Sequence, residues 1–356
     1  MIKLHRRDFI RTSLFGGFAA ATIPAFVMDV MAEQTKVTVD TTSRVSLVAG
    51  SDRAAMVFNT LQPFAKEIAQ AVGNRRIVVK PNMVEKDIPL CATHKDTIEG
   101  ILEFYKSINK LENVVIGESI AFGPATDCFE CYGYIPVAEK YKVKLLDFDE
   151  HPFQIHHVMD EADFLPKAIR VSTFLTDRNN FVMSTARMKT HNTVGATLSL
   201  KNVVFGSPIK DPGYFSHAST TATSGKRILH GNGYRAVNYN IYSMAYHVRP
   251  DLAFIDGVEG MEGNGPTQGT PVDHRVSFAS LDWMAVERVG LELMGIDPSL
   301  IGYLKFCAEA GMGQFDLNKI EIIGETLANH IKSYKLPPNI ERQQQWKTPI
   351  ERNRQS

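Results

Sequence analysis

The sequence has no net charge and, after its first 32 residues, no long apolar run. Lys and Arg total 39 among the 356 residues, and Asp and Glu also total 39. No global field therefore draws the chain to nucleic acid or to an acidic membrane, and no basic stripe with interleaved aromatic residues is present. We expect no nucleic-acid partner and no stable membrane insertion beyond residue 32.

Cysteine is scarce, with four residues in the chain. Cys128 and Cys131 form a single C-x-x-C, whereas a zinc ribbon or an iron–sulfur site needs a second pair or a run of three. We therefore expect no iron–sulfur cluster. A local disulfide and two ordinary thiols are both open for this pair, and a redox role through it is one functional hypothesis.

Several catalytic motifs are also missing. The histidines show no H-E-x-x-H or H-x-H spacing, and no G-x-S-x-G elbow marks a serine nucleophile. The glycine-rich stretch DGVEGMEGNGPTQG lacks the lysine of a P-loop and does not fit a dinucleotide fingerprint. The sequence thus gives no support to the familiar hydrolase classes.

The N-terminus has the three-part layout of an export signal. Arg6 and Arg7 lie in the stretch HRRDFIRTS, the uncharged run SLFGGFAAATIPAFVM follows, and Val30 and Ala32 suit a cleavage site. This layout predicts a twin-arginine signal peptide over residues 1–32, the translocation machinery of that pathway as a partner, and a periplasmic protein. A short N-terminal membrane anchor is the alternative.

Beyond about residue 42, segments typical of strands and helices alternate. Stretches such as RRIVVKPNMV and ENVVIGES are continuously apolar, so both faces of their sheet should be covered. We predict one α/β domain over residues 43–330, an open, mostly parallel sheet with helices on both faces. We predict that residues 207–248 form a long irregular segment over one end of the sheet, called the excursion below. Residues 337–356 predict a polar C-terminal tail at the surface.

Polar side chains end four of these apolar strands. Ligands of open α/β sheets lie outside the carboxyl ends of the strands, where residues far apart in sequence converge. The pattern therefore predicts a shared site at this end of the sheet. Its members by strand are Lys80 with Asn82, Glu118 with Ser119, Lys189 with His191, and Asp256 with Glu259.

The segment ARMKTHNTVGATLSLKNVVFG places Lys189 and His191 in a predicted strand-to-helix turn. Thr193 is a candidate cap for a helix beginning near Gly195, where free backbone N–H groups would favour an anion. Two turns further on, Lys201 and Asn202 lie in an apolar run. A buried lysine is costly unless it is paired. We expect Lys201 either to snorkel to the surface or to pair with Asp256, Glu118 or a substrate carboxylate.

The stretch from residue 256 to 269 carries hard oxygen ligands in a predicted glycine-rich turn. Asp256, Glu259 and Glu262, with Asn264, are candidate ligands of Mg²⁺ or Ca²⁺. The alternative is a tight loop whose acids cap neighbouring groups.

The stretches IVVKPNMV, VVIGES, KTHNTVGATLSLKNVVFG, IDGVEGMEGNGPTQGTP and ASLDWMAVE resemble the family called domain of unknown function 362. The resemblance extends from Val45 to Gly324. It implies no settled chemistry, and the ferredoxin-like cysteine run of some relatives is absent here. Many relatives have an aspartate where this chain has Glu287. The motif residues fall on Lys80, Asn82, Glu118, Lys189, His191, Lys201, Asn202, Asp256, Glu259, Glu262, Asn264 and Asp282.

These residues predict an enzyme acting on a small anionic molecule, a carboxylate or a phosphate, with or without a metal ion. Lys189, His191 and Lys80 would bind the anion, and His191 is the candidate general acid or base because its ordinary pKa lies near neutrality. Lys201 is a candidate electrophilic stabiliser or base. The alternative is a periplasmic small-molecule or cofactor-binding protein without turnover.

Overall fold

A computed structural model describes residues 41–348 of the chain. The predicted signal peptide of residues 1–32 lies outside these residues, as do residues 349–356 of the predicted tail. None of the helices in the described range combines the length and the apolar content that a membrane crossing requires.

Strands and helices alternate in the first part of the fold. The elements are β1 (Ser43–Ala49), α1 (Arg53–Leu61), α2 (Ala65–Val72), β2 (Arg76–Pro81), α3 (Lys95–Ser107), β3 (Val114–Glu118), α4 (Ala125–Cys131), α5 (Tyr134–Tyr141) and β4 (Lys144–Asp147). A separate hairpin and the two longest strands of the sheet follow. These later elements are β5 (Phe153–Met159), β6 (Pro166–Ser172), α6 (Thr173–Thr176), β7 (Asn180–His191), β8 (Gly195–Thr197), α7 (Ser199–Gly206), α8 (Gly225–Leu229), α9 (Tyr234–Ala245), β9 (Leu252–Asn264), β10 (Gln268–Ser280), α10 (Trp283–Leu293), α11 (Gly302–Glu309), β11 (Ile320–Gly324) and α12 (Ile340–Gln343).

The main sheet has the strand order β11-β1-β10-β9-β7-β2-β3-β4, with β8 added to β7. Five of the pairings along this path are parallel, and β10 is antiparallel to both of its neighbours. The predicted α/β class with a mostly parallel sheet is therefore confirmed. The β5–β6 hairpin forms a second, two-stranded sheet.

Two apolar cores cover the two faces of the sheet. Alternate side chains of a strand point to opposite faces, and in β2 Val78 packs in one core while Ile77 and Val79 pack in the other. Full burial of each such side chain contributes about 1.5–3 kcal/mol. The continuous apolar strands of the sequence follow from this double coverage.

The segment after β7 differs from its predicted form. β7 continues to His191 and turns back as β8, with His191 opposite Gly195. Helix α7 begins only at Ser199, so Thr193 does not cap it. Lys189 and His191 consequently lie on the strand itself. They are in the part of β7 that extends past the end of the neighbouring strand β2, since the last residue of β7 paired with β2 is Thr185.

The glycine-rich stretch after Asp256 is also strand rather than turn. β9 runs unbroken to Asn264 and pairs with β10 as a long antiparallel ribbon. The excursion of residues 207–248 is irregular only as far as Ser224. Helix α8 begins at Gly225, and helix α9 begins at Tyr234. Residues 337–348, predicted to be a surface tail, form α12 and a short 3-10 helix that pack back onto the domain.

Candidate active site

A cavity of about 290 Å³ lies at the carboxyl ends of β2, β3 and β7. These strands are parallel and adjacent, so the side chains that end them meet at one edge of the sheet. The residues predicted as catalytic or anion-binding all line this cavity: Lys80, Asn82, Glu118, Ser119, Lys189, His191, Lys201 and Asn202.

Lys80 and Glu118 form a buried ion pair in the cavity wall. The Nζ atom of Lys80 lies 2.8 Å from each carboxylate oxygen of Glu118 and donates to the Pro81 carbonyl over 2.8 Å. The backbone N–H groups of Met83 and Ser119 donate to the same carboxylate over 2.9 Å. Burial lowers the pKa of Lys80 and raises that of Glu118, and the charge of each opposes the shift of the other. The charge of Glu118 is thus already matched inside the protein.

Asn202 ties helix α7 to this pair. Its Oδ1 atom accepts hydrogen bonds from Lys80 Nζ over 2.8 Å and from Asn82 Nδ2 over 3.0 Å. The close packing of α7 against the Lys80 side chain needs a glycine at the end of the helix, because a Cβ atom on Gly206 would lie 2.0 Å from Cε of Lys80. The Oδ1 atom of Asn82 is buried and has no partner among the described residues, and the residue lines the cavity.

Glu287 holds the other end of α7. The residue before the helix, Leu198, gives no side-chain cap. Instead, Oε1 of Glu287 in α10 accepts the N–H of Leu200 over 2.6 Å. Burial raises the pKa of Glu287 to about 8. Glu287 therefore positions the helix that carries Lys201, and its carboxyl group does not line the cavity.

Lys189 is a fully buried lysine with a single polar partner among residues 41–348. Its Nζ atom donates to the carbonyl of Cys91 over 2.8 Å. Burial lowers its pKa to about 8, and the neighbouring charge of Arg187 adds to the shift. Lys189 thus stays mostly protonated near pH 7, with donor positions left for a ligand.

Lys201 faces His191 rather than a carboxylate. Its Nζ atom lies 3.0 Å from Nε2 of His191 and 4.2 Å from the ring centroid of Phe205. Burial lowers the pKa of Lys201 well below its usual value, and the charges of Lys189 and Lys80 lower it further. Neither surface snorkelling nor the pairing with Glu118 or Asp256 occurs.

The hydrogen bonds of His191 fix the charge state of Lys201. The backbone N–H of Thr193 donates to Nδ1 of His191 over 3.0 Å, so Nδ1 carries a lone pair. In the neutral ring the proton is then on Nε2, which faces Lys201. Because Nε2 of His191 is then the donor, Nζ of Lys201 must be the acceptor. Only the neutral amine of a lysine has a lone pair that can accept a hydrogen bond; the ammonium has none. Burial also lowers the pKa of His191 well below its usual range, which keeps the ring neutral.

Lys226 and His230 line the cavity from the excursion and were not found by sequence reasoning. Lys226 donates to the carbonyls of Phe205 and Pro208 over 3.1 and 2.7 Å, and burial lowers its pKa to about 7. The Nδ1 atom of His230 lies 2.8 Å from the Lys226 carbonyl and donates to it, and burial lowers the His230 pKa to about 4. No strand end marks either residue; the one signal was their position in a long polar segment.

An aromatic wall closes another side of the cavity. Tyr214 stacks on Phe122 with ring centroids 5.9 Å apart, and His217 meets the edge of Phe122 at 4.9 Å. The Tyr214 hydroxyl lies 3.0 Å from Nδ1 of His217. All three residues line the cavity, which combines apolar surface with cationic groups.

The candidate metal ligands lie elsewhere, and each has its own partner. Asp256 accepts from Arg53 over 3.0 Å and from Thr97 over 2.7 Å. Glu259 lies 3.0 Å from the guanidinium of Arg187. Glu262 accepts the backbone N–H of Lys335 over 2.9 Å. In the described part of the chain, no cluster of three His, Cys, Asp or Glu side chains has the arrangement of a metal site.

The alternation of β9 explains why Asp256 cannot reach Lys201. Ile255 packs in the core that contains the apolar residues of α7, whereas Phe254 packs in the opposite core with those of α1 and α3. Asp256 is two residues from Phe254 and therefore points to the same face. Its contact with Thr97 of α3 agrees with that placement.

The four cysteines are free thiols in this structure. Cys128 is buried in α4, and Cys131 is exposed at the end of that helix, where its Sγ lies 3.4 Å from Oδ1 of Asp87. Of the two alternatives left open by the sequence, the structure has ordinary thiols. None of the four lines the cavity.

Known proteins similar to this chain include two from bacteria. The thylakoid-associated protein sll1697 of Synechocystis sp. is 23% identical over 228 residues, which cover 64% of this chain and 65% of that protein. This chain therefore spans less than two thirds of that relative. A crystal structure of a Thermotoga maritima protein gives a TM-score of 0.37 at 11% identity, covering 66% of this chain and 57% of the other. Residues 77–292, more than half of the chain, match one family, and the protein belongs to it: Domain of unknown function (DUF362).

Proposed function

We propose that this protein is an exported enzyme that binds a small carboxylate or phosphate compound in the cavity and transfers a proton or a group on it. The supporting observation is an excess of basic groups. Lys80 is matched by Glu118, but the polar contacts of Lys189 and Lys226 are backbone carbonyls and that of Lys201 is His191.

Electrostatics favour an anion near these lysines. A unit charge about 4 Å from a protonated lysine gains about 4 kcal/mol at an effective dielectric of about 20. Lys189, with a pKa of about 8, is the main charged anchor near pH 7, and Lys226, with a pKa of about 7, is partly protonated there. An anion bound between them would raise both pKa values and strengthen its own binding.

The cavity also limits the size of the ligand. Its volume of about 290 Å³ is at the lower end for small-molecule sites, which run from about 300 to 1,000 Å³. The free acceptor Oδ1 of Asn82 suits a ligand that also has a hydroxyl or amine donor. A compact metabolite with one or two anionic groups fits these constraints.

His191 and Lys201 supply the chemistry. The neutral ring of His191 has a proton on Nε2, and the adjacent amine of Lys201 has a lone pair, so the pair offers a donor and an acceptor 3.0 Å apart. The metal-binding alternative has no supporting contact among Asp256, Glu259 and Glu262. The proposal therefore assigns proton transfer to side chains of the cavity.

Anion binding is tested by calorimetry with inorganic phosphate and with malonate. Wild-type protein should bind at least one of them, and Lys189→Met should weaken binding while the exposed control Lys335→Met leaves it unchanged. A ligand at about 100 times its Kd should add about 2.7 kcal/mol to the free energy of unfolding. No binding of either anion to folded wild-type protein would contradict the proposal.

Turnover is tested with small carboxylates and phosphates of the host, followed by NMR. We expect wild-type protein to convert at least one compound, and His191→Ala and Lys201→Ala to remain folded without that activity. Near-wild-type turnover in both variants would reject the assigned roles. A compound retained at one per chain with no product formed would favour a binding protein.

Export through the twin-arginine pathway is the remaining part of the proposal. It is supported by Arg6 and Arg7 and by the uncharged run that follows them. Replacing both by lysine should leave the protein in the cytoplasm, whereas the nearby Arg11→Lys should not. Unchanged periplasmic recovery of the double variant would contradict this route.

A further inference from the structure

Lys201 is unusual among the cavity lysines because its surroundings favour the neutral amine. It faces a proton on His191 Nε2, and burial and the charges of Lys189 and Lys80 oppose a further charge. A neutral amine cannot anchor an anion by charge. It is, however, a nucleophile, and burial of an unpaired lysine is how proteins activate that group.

We propose that Lys201 forms an imine with a small aldehyde or ketone that carries a carboxylate or phosphate group. This inference rests on the proposed function, since it needs the anion held in the same cavity. Lys189 holds the anionic group, and the carbonyl carbon lies at Nζ of Lys201.

The spacing of the strand supports this division of roles. Lys189 and His191 are two residues apart on β7, so their side chains leave the same face about 7 Å apart. Lys201 contacts the second of them. The anchor Lys189 and the histidine that contacts the nucleophile therefore start from neighbouring positions on one face of β7, which suits a compound whose carbonyl is close to its anionic group.

The reaction balances with the groups present. The Nζ lone pair attacks the carbonyl carbon to form a C–N bond, and the carbonyl C–O bonds then break. Both amine hydrogens leave with the oxygen as water, so no other reactant is consumed. The Nε2–H of His191 donates a hydrogen bond to the oxygen as it becomes negative. The imine nitrogen then takes up one proton from the solvent, and the ring of Phe205, 4.2 Å from Nζ, stabilises the resulting cation by a cation–π contact.

Reductive trapping tests the imine. Purified protein is incubated with glyoxylate, or with glycolaldehyde phosphate, and sodium cyanoborohydride at about pH 7, and the labelled peptides are mapped by mass spectrometry. Only a neutral amine reacts, and an exposed lysine is about 0.04% neutral at that pH. We expect label on Lys201 with at least one probe, roughly a hundredfold faster than on the exposed Lys335.

The choice of probe and variant locates the anion. Glyoxylate and glycolaldehyde phosphate separate a carboxylate substrate from a phosphate substrate. Acetaldehyde, which has no anionic group, should label Lys201 more slowly, and Lys189→Met should slow labelling by the anionic probes selectively. In Lys201→Met the fast label should disappear while circular dichroism shows a folded protein.

Equal labelling of Lys201 and the exposed lysines, or fast labelling that persists in Lys201→Met, would overturn the inference. The mapping on wild-type protein gives this result even if the variant does not fold. If inorganic phosphate or malonate binds while neither carbonyl probe labels Lys201, the imine is rejected and the proposed anion site stands. If neither anion binds, the proposed function itself fails.

Discussion

The backbone N–H of Gly195 donates to Oε1 of Gln343 over 2.7 Å, across 148 positions of the chain. The Nε2 atom of the same side chain donates to the carbonyl of His191 over 3.3 Å. Gln343 is buried and lies in the segment whose polarity predicted a surface tail. It thereby holds the β7–β8 hairpin that presents His191 to the cavity.

We expect Gln343→Leu to lower the free energy of unfolding by about 1–3 kcal/mol, because it leaves a buried N–H of Gly195 without a partner. The looser hairpin should also weaken binding of phosphate or malonate. Urea unfolding and calorimetry measure the two effects. The exposed neighbour Gln345 is the matched control, and Gln345→Leu should change neither.

Breaking the buried pair should be far more costly than breaking a surface pair. Lys80→Met or Glu118→Gln alone should cost about 3–5 kcal/mol, because one buried charge is left unpaired. Removing both partners should cost less than the sum of the single changes. The exposed pair of Lys305 and Glu309 is the control, with a coupling of about 0.5 kcal/mol. Additive single and double effects at Lys80 and Glu118 in urea unfolding would contradict this pairing.

The cavity lysines should make stability and anion affinity change in opposite directions with pH. The pKa of Lys226 is lowered to about 7 and that of Lys189 to about 8, below the unfolded value of about 10.4. The unfolded chain therefore binds more protons between these limits, and this contribution to stability rises from about pH 7 to about pH 10. Affinity for malonate, whose two carboxylates are ionised throughout that range, should fall over its first part as the lysines lose charge.

Thermal unfolding and calorimetry across pH test this statement. Lys226→Met should reduce the rise in stability between about pH 7 and pH 10. The exposed control Lys335→Met should leave the profile as in wild type. An anion affinity that is constant or increases through about pH 8 would mean that neither lysine holds the ligand.

Glu287 should contribute a stability change of the opposite sign. Burial raises its pKa to about 8, above the unfolded value of about 4.3, so the folded chain binds the extra proton. Its contribution to stability is present below about pH 4 and is lost as the pH rises to about 8. Glu287→Gln keeps the acceptor for Leu200 and removes the titration. Its stability relative to wild type should increase over that window, and a constant difference in urea unfolding would contradict the assignment.

The thiols should titrate as three protected groups and one accessible group. Cys91, Cys128 and Cys307 are buried and Cys131 is exposed; burial also raises the pKa of Cys128, which disfavours its thiolate. We expect a disulfide reagent to modify one thiol in folded protein and four after unfolding. Two unreactive cysteines after unfolding would indicate the disulfide instead. Replacing both Cys128 and Cys131 by serine should leave turnover unchanged.

The sequence by itself determined the fold class and the part of the site that strand ends supply. Continuous apolar strands require a sheet covered on both faces, and parallel strands deliver the residues at their carboxyl ends to one edge. That is why Lys80, Glu118 and His191 could be placed at a common site from local pattern alone. Lys201 was identified because a lysine inside an apolar run needs an explanation.

Only the tertiary structure decided what each of these groups contacts. Whether Asp256 meets Lys201 depends on which face of β9 it leaves, and that face is set by strand register and helix placement rather than by residue type. The same holds for Lys226, which reaches the cavity from the excursion, and for Gln343 of α12, which holds the backbone of the β7–β8 hairpin. Local periodicity fixes the direction of a side chain within its own element. The partner that a side chain meets depends on how the chain folds back. The turn between β7 and β8 brings His191 to Lys201, and that contact decides the charge of Lys201.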